Sequence, residues 1–296
     1  MGASVSPISK ALNVLVTGAT GKQGGHLVRE LLARGHSVRA MTRKPQSPAA
    51  AELAGRGVAI VTGDFDDQGS LERAARGVDT VFAMSTPYES GSKTETREGI
   101  NIVRAAVTAG VKHLVYSSVA AADRATGIPH FDSKYEVEKR LASVGVPYSI
   151  VAPVYFMENL LAPWNLAALR ERKLALAMPA DRRLQQVAVS DIGAFAATLV
   201  ERREAVFGKR YDIAGDELTG AQMAAAVSKA GRREIRYEGF PPDALRAQSE
   251  DLGLMFEWFD QVGYSADMEA LRREFPEVPW LTFEEWLSQQ DLAELG

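Results

Sequence analysis

Residues 13–24 read NVLVTGATGKQG. The apolar run Asn13–Thr17 leads straight into glycine and reads as a short, buried parallel strand. Beyond the loop, Leu27, Val28, Leu31 and Leu32 recur at helical spacing, and Gly35 stops that helix just after Arg34. Gly18, Gly21 and Gly24 therefore stand three apart between a strand and a helix. Glycine lets the backbone turn tightly and approach a pyrophosphate. A helix N-terminus adds unpaired N–H groups and a partial positive charge. In the first strand–turn–helix unit of a chain this placement is a strong signal for dinucleotide binding; a plain tight turn is the weaker alternative. Thr20, Lys22 and Gln23 lie within the loop and join the three glycines as candidate cofactor contacts.

Outward from the loop, apolar runs at Ser37–Thr42, Val58–Thr62, Thr80–Ala83, Lys112–Tyr116 and Tyr148–Ala152 read as further strands. Helical stretches separate them: Leu71–Ala75, the Ile100, Val103, Ala106, Val107 series ended by Gly110, and the Val137, Leu141, Val144 series ended by Gly145. This alternation predicts an α/β fold, a doubly wound parallel sheet of Rossmann type covered on both faces. A TIM barrel needs about eight such units, and here the alternation weakens after residue 155. In the second half Asp191 reads as the N-cap of a helix over Ile192–Val200, and Thr219 as the cap of Gly220–Ala230. Arg210–Ile213 and Glu234–Tyr237 are candidate short strands, and Leu245–Phe259 a candidate helix. The expected organisation is a loose leader over 1–12, a dinucleotide-binding domain over 13–155, and a smaller α/β part over 156–296. That part packs on the first and covers the C-terminal edge of the sheet, where ligands bind in open α/β sheets.

Composition narrows the functional classes. Of the 296 residues, 46% are hydrophobic and 24% charged, as in ordinary globular proteins. The net charge of −4 gives no electrostatic reason to bind nucleic acid or a membrane surface. The absence of cysteine removes thiol nucleophiles and zinc–thiolate sites. His26, His36 and His113 show no metal-ligand spacing and read as helix, turn and strand-edge residues, so no metal is expected. No apolar stretch approaches the ~20 residues of a membrane span, and the N-terminus lacks the apolar core of a signal peptide. A cytoplasmic protein is the default expectation.

The end of the second strand bears on which dinucleotide is bound. An NAD site places an acid there to hold the ribose hydroxyls. This chain has Met41-Thr42-Arg43-Lys44 instead. Arg43 could grip a 2′-phosphate through a forked, charge-assisted contact, with Lys44 and Lys22 adding charge, which points to NADP(H). A solvated basic pair is the plain alternative. Asp64, after the third strand, stands where an acid could accept from the adenine amino group, although a turn role in Gly63-Asp64-Phe65-Asp66 is nearly as good a reading. Phe65 beside it, Ser85-Thr86-Pro87 after the fourth strand and Ser117 after the fifth complete the cofactor set along the strand ends.

These pieces together resemble the NmrA-like family of atypical short-chain dehydrogenase/reductases. The likeness rests on TGATGKQGG at 17–25, RAMTRKP at 39–45, GDFDD at 63–67 and VKHLVYSSV at 111–119. It continues through HFDSKYEVEKRL at 130–141, GVPYSIVAPVYFMENL at 145–160 and QVAVSDIGAFAA at 186–197, and covers roughly residues 13 to 215. The resemblance implies NADP(H) on a Rossmann domain. Some members reduce small molecules such as quinones, azo compounds or imines; others sense the cofactor and regulate partners.

Ordinary short-chain dehydrogenases pair a catalytic tyrosine with a lysine four residues on, which holds the nicotinamide ribose, and add a serine after the fifth strand. Two registers compete for that pair. Tyr135 and Lys139 fit the letters, whereas the family segment HFDSK puts His130 at the tyrosine position and Lys134 at the lysine position. The registers differ by about 140° of helix rotation, so both cannot face one ligand. Lys139 is flanked by Glu136, Glu138 and Arg140 and reads as solvated, which favours Lys134, with Tyr135 as a packing residue. His130 could give a proton or could be a loop histidine. The serine falls at Ser117 or Ser118, or its place is taken by Val119. In the family the segment from Pro153 to Asn159 lies beside the nicotinamide, which makes Tyr155 and Phe156 candidate ring or pocket contacts. Met157, Trp164 and Phe256 are weaker pocket candidates, and with them the substrate reads as small and apolar. The expected activity is therefore NADPH-dependent reduction of a quinone, azo compound, imine or enone. The alternative is an NADP(H)-sensing regulator without turnover, acting through a protein partner; a homo-oligomer is compatible with either.

Overall fold

The computed structural model describes residues 11–88 and 90–292. The expected leader therefore lies, up to residue 10, outside the described residues. The elements run β1 (Asn13–Val16), α1 (Lys22–Ala33), β2 (Ser37–Thr42), α2 (Pro48–Gly55), β3 (Ala59–Thr62), α3 (Gln68–Ala75), β4 (Thr80–Ala83), α4 (Ser92–Thr108), β5 (His113–Ser117), α5 (Pro129–Ala142) and β6 (Tyr148–Pro153). There follow β7 (Tyr155–Phe156), α6 (Pro163–Arg170), β8 (Lys173–Leu176), β9 (Arg183–Val187), α7 (Val189–Arg202), β10 (Lys209–Ile213), β11 (Asp216–Thr219), α8 (Gly220–Gly231), β12 (Arg236–Gly239), α9 (Asp243–Arg246), α10 (Glu250–Gln261), α11 (Met268–Glu274) and α12 (Phe283–Ser288).

Backbone contacts divide the chain into two compact units, each built from three segments. The first takes the described residues to Ser117, then Glu136–Val151 and Gly193–Arg210; the second takes Ser118–Tyr135, Ala152–Ile192 and the described residues from Tyr211 on. The central sheet has the order β10-β6-β5-β4-β1-β2-β3. β1 pairs in parallel with β2 and β4, β2 with β3, β4 with β5, and β5 with β6. Order 3-2-1-4-5-6 is the doubly wound Rossmann arrangement. Every residue of β4 and β5 is buried, as strands covered on both faces must be. Arg210–Ile213 had no assigned partner in the sequence reading; as β10 it extends this sheet at the edge beside β6.

His113 opens β5 and is fully buried, not a strand-edge residue. Ser149 donates to the Val206 carbonyl at 2.8 Å, so the imidazole Nε2 donates to Ser149 at 3.0 Å. Burial, with Arg203 adding to it, pushes the ring down to about 3, and it stays neutral in the fold. His36 is likewise internal: its Nδ1 accepts from Leu12 N–H at 3.2 Å and its Nε2 meets Glu201 at 3.1 Å.

The second unit has its own apolar core, including Phe131, Met157, Leu169, Met178, Phe256, Phe259, Phe283 and Trp286. Its strands form the sheet β11-β9-β7 and the parallel pair β12-β8. The helix expected over Leu245–Phe259 is two helices, because Ser249 caps a new one by accepting from Leu252 N–H. Thr219 caps α8 as expected, with Gln222 closing a capping box. Asp191 does not cap α7, which begins at Val189. Glu158 does that work by accepting from Val189 N–H at 3.0 Å, while Asp191, fully buried, accepts from Leu281 N–H at 2.7 Å. Asp216 accepts from Phe283 N–H at 2.8 Å, and Glu158 also from Trp286 Nε1 at 3.0 Å. Three acids thus hold residues 281–286, a tie that no local pattern announces.

Burial raises the Asp191 carboxyl from 3.8 to about 6, against the lowering effect of the Leu281 hydrogen bond. The folded chain therefore holds this proton more tightly than the unfolded one. The stability so gained is full below the unfolded value and is lost as pH rises through about 6. Asp191→Asn keeps an acceptor for Leu281 and cannot ionise. It should stabilise the protein by about 1–3 kcal/mol at pH 8, an advantage that vanishes by about pH 4. Urea unfolding at the two pH values checks this; an equal advantage at both would contradict it.

Candidate functional site

The parallel strands of the first unit bring their C-terminal ends to one edge, and most of the expected cofactor residues leave from there. The loop after β1 is shaped by its glycines. Gly18 has φ +63°, a left-handed conformation, and its carbonyl accepts from Gly21 N–H at 2.9 Å. A Cβ on Gly24 would lie 2.3 Å from that carbonyl oxygen, so α1 can seat against the loop only with glycine there. A Cβ on Gly21 would lie 3.3 Å from the same oxygen, tight but not prohibitive. α1 begins at Lys22 with Gly21 as N-cap, no side chain caps it, and its first turn has no acid. Its leading N–H groups are thus open to an anion. Gln23 is buried, and its amide oxygen has no hydrogen-bond partner among the described residues. Thr17 fixes the loop from below, its hydroxyl accepting from Met84 N–H at 2.9 Å and donating to the Met84 carbonyl at 3.2 Å. An uncapped helix start and a cradle that a Cβ would fill fit a pyrophosphate.

Around this loop stand the other candidates. Arg43 and Lys44 follow β2 and are exposed, with no acid in the segment. Asp64 follows β3 and is exposed, but one carboxylate oxygen accepts from Asp66 N–H at 3.0 Å, which makes it a turn former as well. Phe65 is held through its carbonyl by Asn101 Nδ2 at 2.8 Å. Ser85 is buried, and its hydroxyl lies with Tyr116, whose phenol is pushed well up by burial and by the neighbouring Glu95. Thr86 accepts from Tyr88 N–H at 3.4 Å, the Pro87 carbonyl accepts from Gly91 N–H at 2.7 Å, and Ser117 ends β5 buried.

In the second unit α5 carries His130 and Lys134 one turn apart, on one face. His130 is bound to Asp251: the backbone N–H donates to Oδ2 at 3.1 Å, and ring Nδ1 contacts Oδ1. Lys134 is half-buried. Tyr135 packs against the core of this unit. Lys139, in the first unit, is exposed and pairs with Glu136 at 2.6 Å. Tyr155 stands edge-on to Phe256 and Phe259 at 6.0–6.3 Å, so its ring is part of an aromatic cluster. It also lines a cavity of about 20 Å³, room for a single water. Phe156 is half-buried, Met157 and Phe256 are core residues, and Trp164 is 71% exposed. Asp251 and Glu158 escaped the sequence reading; each meets its partner across a long stretch of chain.

The NmrA-like family profile matches residues 10–287. The chain belongs to the NmrA-like family. Among similar proteins is quinone oxidoreductase 2 of Escherichia coli, 28% identical over 81% of this chain and 82% of that protein. The crystal structure of that NADPH-dependent enzyme with NADPH matches with a TM-score of 0.80 at 26% identity, over 93% and 98% of the two chains. The (4-alkanoyl-5-oxo-2,5-dihydrofuran-3-yl)methyl phosphate reductase of Streptomyces griseus is 31% identical over 79% of each chain. The NAD(P)H azoreductase of Xenophilus azovorans is 30% identical over 81% of this chain and 82% of that one. Among the described residues no helix is long and apolar enough to cross a membrane, and no cluster of acids and histidines could hold a metal.

Proposed function

We propose that this protein is an NADPH-dependent reductase of small apolar acceptors of the quinone, azo, imine or enone class. The observation that carries the reading is the open start of α1 behind Gly18–Gly24. The similarity to reductases of quinones, azo compounds and an oxo-dihydrofuran supports the reaction class. Bound NADPH would supply the hydride. The backbone of the glycine loop would hold the pyrophosphate, with Thr20, Lys22 and Gln23 around it. Arg43 and Lys44 would take the 2′-phosphate, Asp64 and Phe65 the adenine side, and Thr86, Pro87 and Ser117 the strand ends beyond. Lys134 would hold the nicotinamide ribose. His130 would give the proton, which tyrosine gives in ordinary short-chain dehydrogenases, and Tyr155 and Phe156 would border the substrate. The alternative regulator reading is favoured by the absence of that tyrosine. NADPH oxidation over a panel of quinones, azo dyes, imines and enones separates the two: steady turnover above background is expected, and none across the panel would leave the regulator.

Arg43 also makes a cofactor-specific expectation. NADPH should bind more tightly than NADH, and Arg43→Ala should weaken NADPH by about tenfold, roughly 1.5 kcal/mol, while leaving NADH unchanged. Calorimetric titration of both cofactors reads this directly. Equal affinities in the parent chain would remove the 2′-phosphate from the argument.

A further inference from the structure

Asp251 grips one histidine at two points. It accepts the His130 backbone N–H at 3.1 Å through Oδ2 and meets the ring Nδ1 through Oδ1, and both residues belong to the second unit. Asp251 stands in the first turn of α10, and the N–H it accepts comes from the first turn of α5. Two helix N-termini thus converge on one carboxylate, an arrangement that favours negative charge. A carboxylate can only accept, so Nδ1 carries the hydrogen. The ring also stands edge-on to Phe131, with centroids 4.7 Å apart, and Phe131 packs on Trp258 at 5.8 Å and Tyr264 at 6.3 Å. The side chain is 12% exposed. One hydrogen bond to the ring, a second to the backbone of the same residue and an aromatic wall fix His130, and Nε2 makes no hydrogen bond to a described residue. A simple helix cap would need only the backbone contact.

We propose that Asp251 is the positioning residue for His130, committing Nδ1–H to its carboxylate so that Nε2 is the nitrogen that gives the proton in substrate reduction. The proposal rests on the reading of His130 as proton donor. For a quinone, the acceptor takes a hydride with its two electrons from NADPH. The Nε2–H bond of the imidazolium then breaks as the substrate O–H bond forms, giving hydroquinone and NADP⁺, and solvent returns a proton to Nε2. Asp251 keeps the ring oriented and offsets the positive charge it carries before transfer, without touching substrate.

The test uses the full chain with NADPH and 1,4-naphthoquinone, and the cofactor-free chain for the ring itself. Nitrogen-15 NMR of the cofactor-free parent, at a pH high enough to leave the ring neutral, should show the single hydrogen of His130 on Nδ1, and Asp251→Asn should lose that preference. Asp251→Asn should lower kcat by at least about tenfold with KM for NADPH little changed, and His130→Gln by about 100-fold. The double variant should be no worse than His130→Gln alone, as for residues acting as one unit. A structural staple would instead shift unfolding midpoints and leave the kcat-to-KM pattern alone. Should His130→Gln cripple turnover while Asp251→Asn does not, the donor reading stands and the positioning role falls. Full activity in His130→Gln, or no turnover at all, overturns both. A neutral ring in the parent that carries its hydrogen on Nε2 alone overturns the positioning role even if Asp251→Asn fails to fold.

Discussion

Gly21→Val is expected to give a folded chain that no longer binds NADPH. Gly21 has φ −91° and ψ 177°, which any residue adopts, and its missing Cβ faces only the Gly18 carbonyl at 3.3 Å. The cost to folding should therefore be small, about 1 kcal/mol. The side chain would occupy the space before the uncapped start of α1. Two lost charge-assisted contacts at ~1.5–3 kcal/mol each amount to at least about a 100-fold loss of affinity. Gly24→Ala should fail differently. Its Cβ would lie 2.3 Å from the Gly18 oxygen, 2.6 Å from the Gly18 carbonyl carbon and 2.9 Å from Ala19 N, all backbone atoms of the loop itself. Loop and helix must separate, and stability should fall by about 3 kcal/mol along with binding. Calorimetric titration and urea unfolding of both variants separate the two outcomes. Unchanged affinity in folded Gly21→Val would put the phosphate site elsewhere.

Lys134→Ala is expected to weaken NADPH by about tenfold and to lower turnover at least as much, the loss of a cationic hydrogen-bond donor. Lys139→Ala should change either quantity little, since Lys139 is exposed and its pairing with Glu136 contributes roughly 0–1 kcal/mol. Tyr135→Phe should also be nearly silent, because Tyr135 packs against the core of the second unit. The three single variants, assayed for NADPH affinity and quinone reduction, decide the register. Crippled Tyr135→Phe and Lys139→Ala beside an intact Lys134→Ala would reinstate the Tyr-x-x-x-Lys pair and an ordinary tyrosine-dependent dehydrogenase.

The first unit was largely legible because its signals are local. A parallel strand buried on both faces shows as an apolar run, and each glycine stop stands two or three residues past the end of its helix. Gly35, Gly110 and Gly145 all have positive φ where the sequence asks for a helix to end. α2 escaped notice because its Ala-rich run shows little periodicity, although Ser47 caps it and Pro48 opens it. The second unit was harder to read. Its strands are short and half-exposed, so no long alternating pattern marks β8, β11 or β12. A single linear boundary at 155–156 could not anticipate two units of three segments each.

The same division holds for the site. The glycine loop and the basic end of β2 are fixed by sequence, because steric room and charge at those positions depend on residue type and on nearest neighbours along the chain. The roles of Asp191, Glu158 and Asp251 are not. Asp191 has the composition of a helix cap, yet only the approach of Leu281 N–H, 90 residues away, makes it a buried tie. His130 reads as a loop histidine until Asp251 arrives from 121 residues along the chain to claim its Nδ1. Sequence carries the short-range terms, sterics and helix ends. A hydrogen bond between distant residues exists only once packing has closed the loop between them, so tertiary structure alone decided which acid serves which donor.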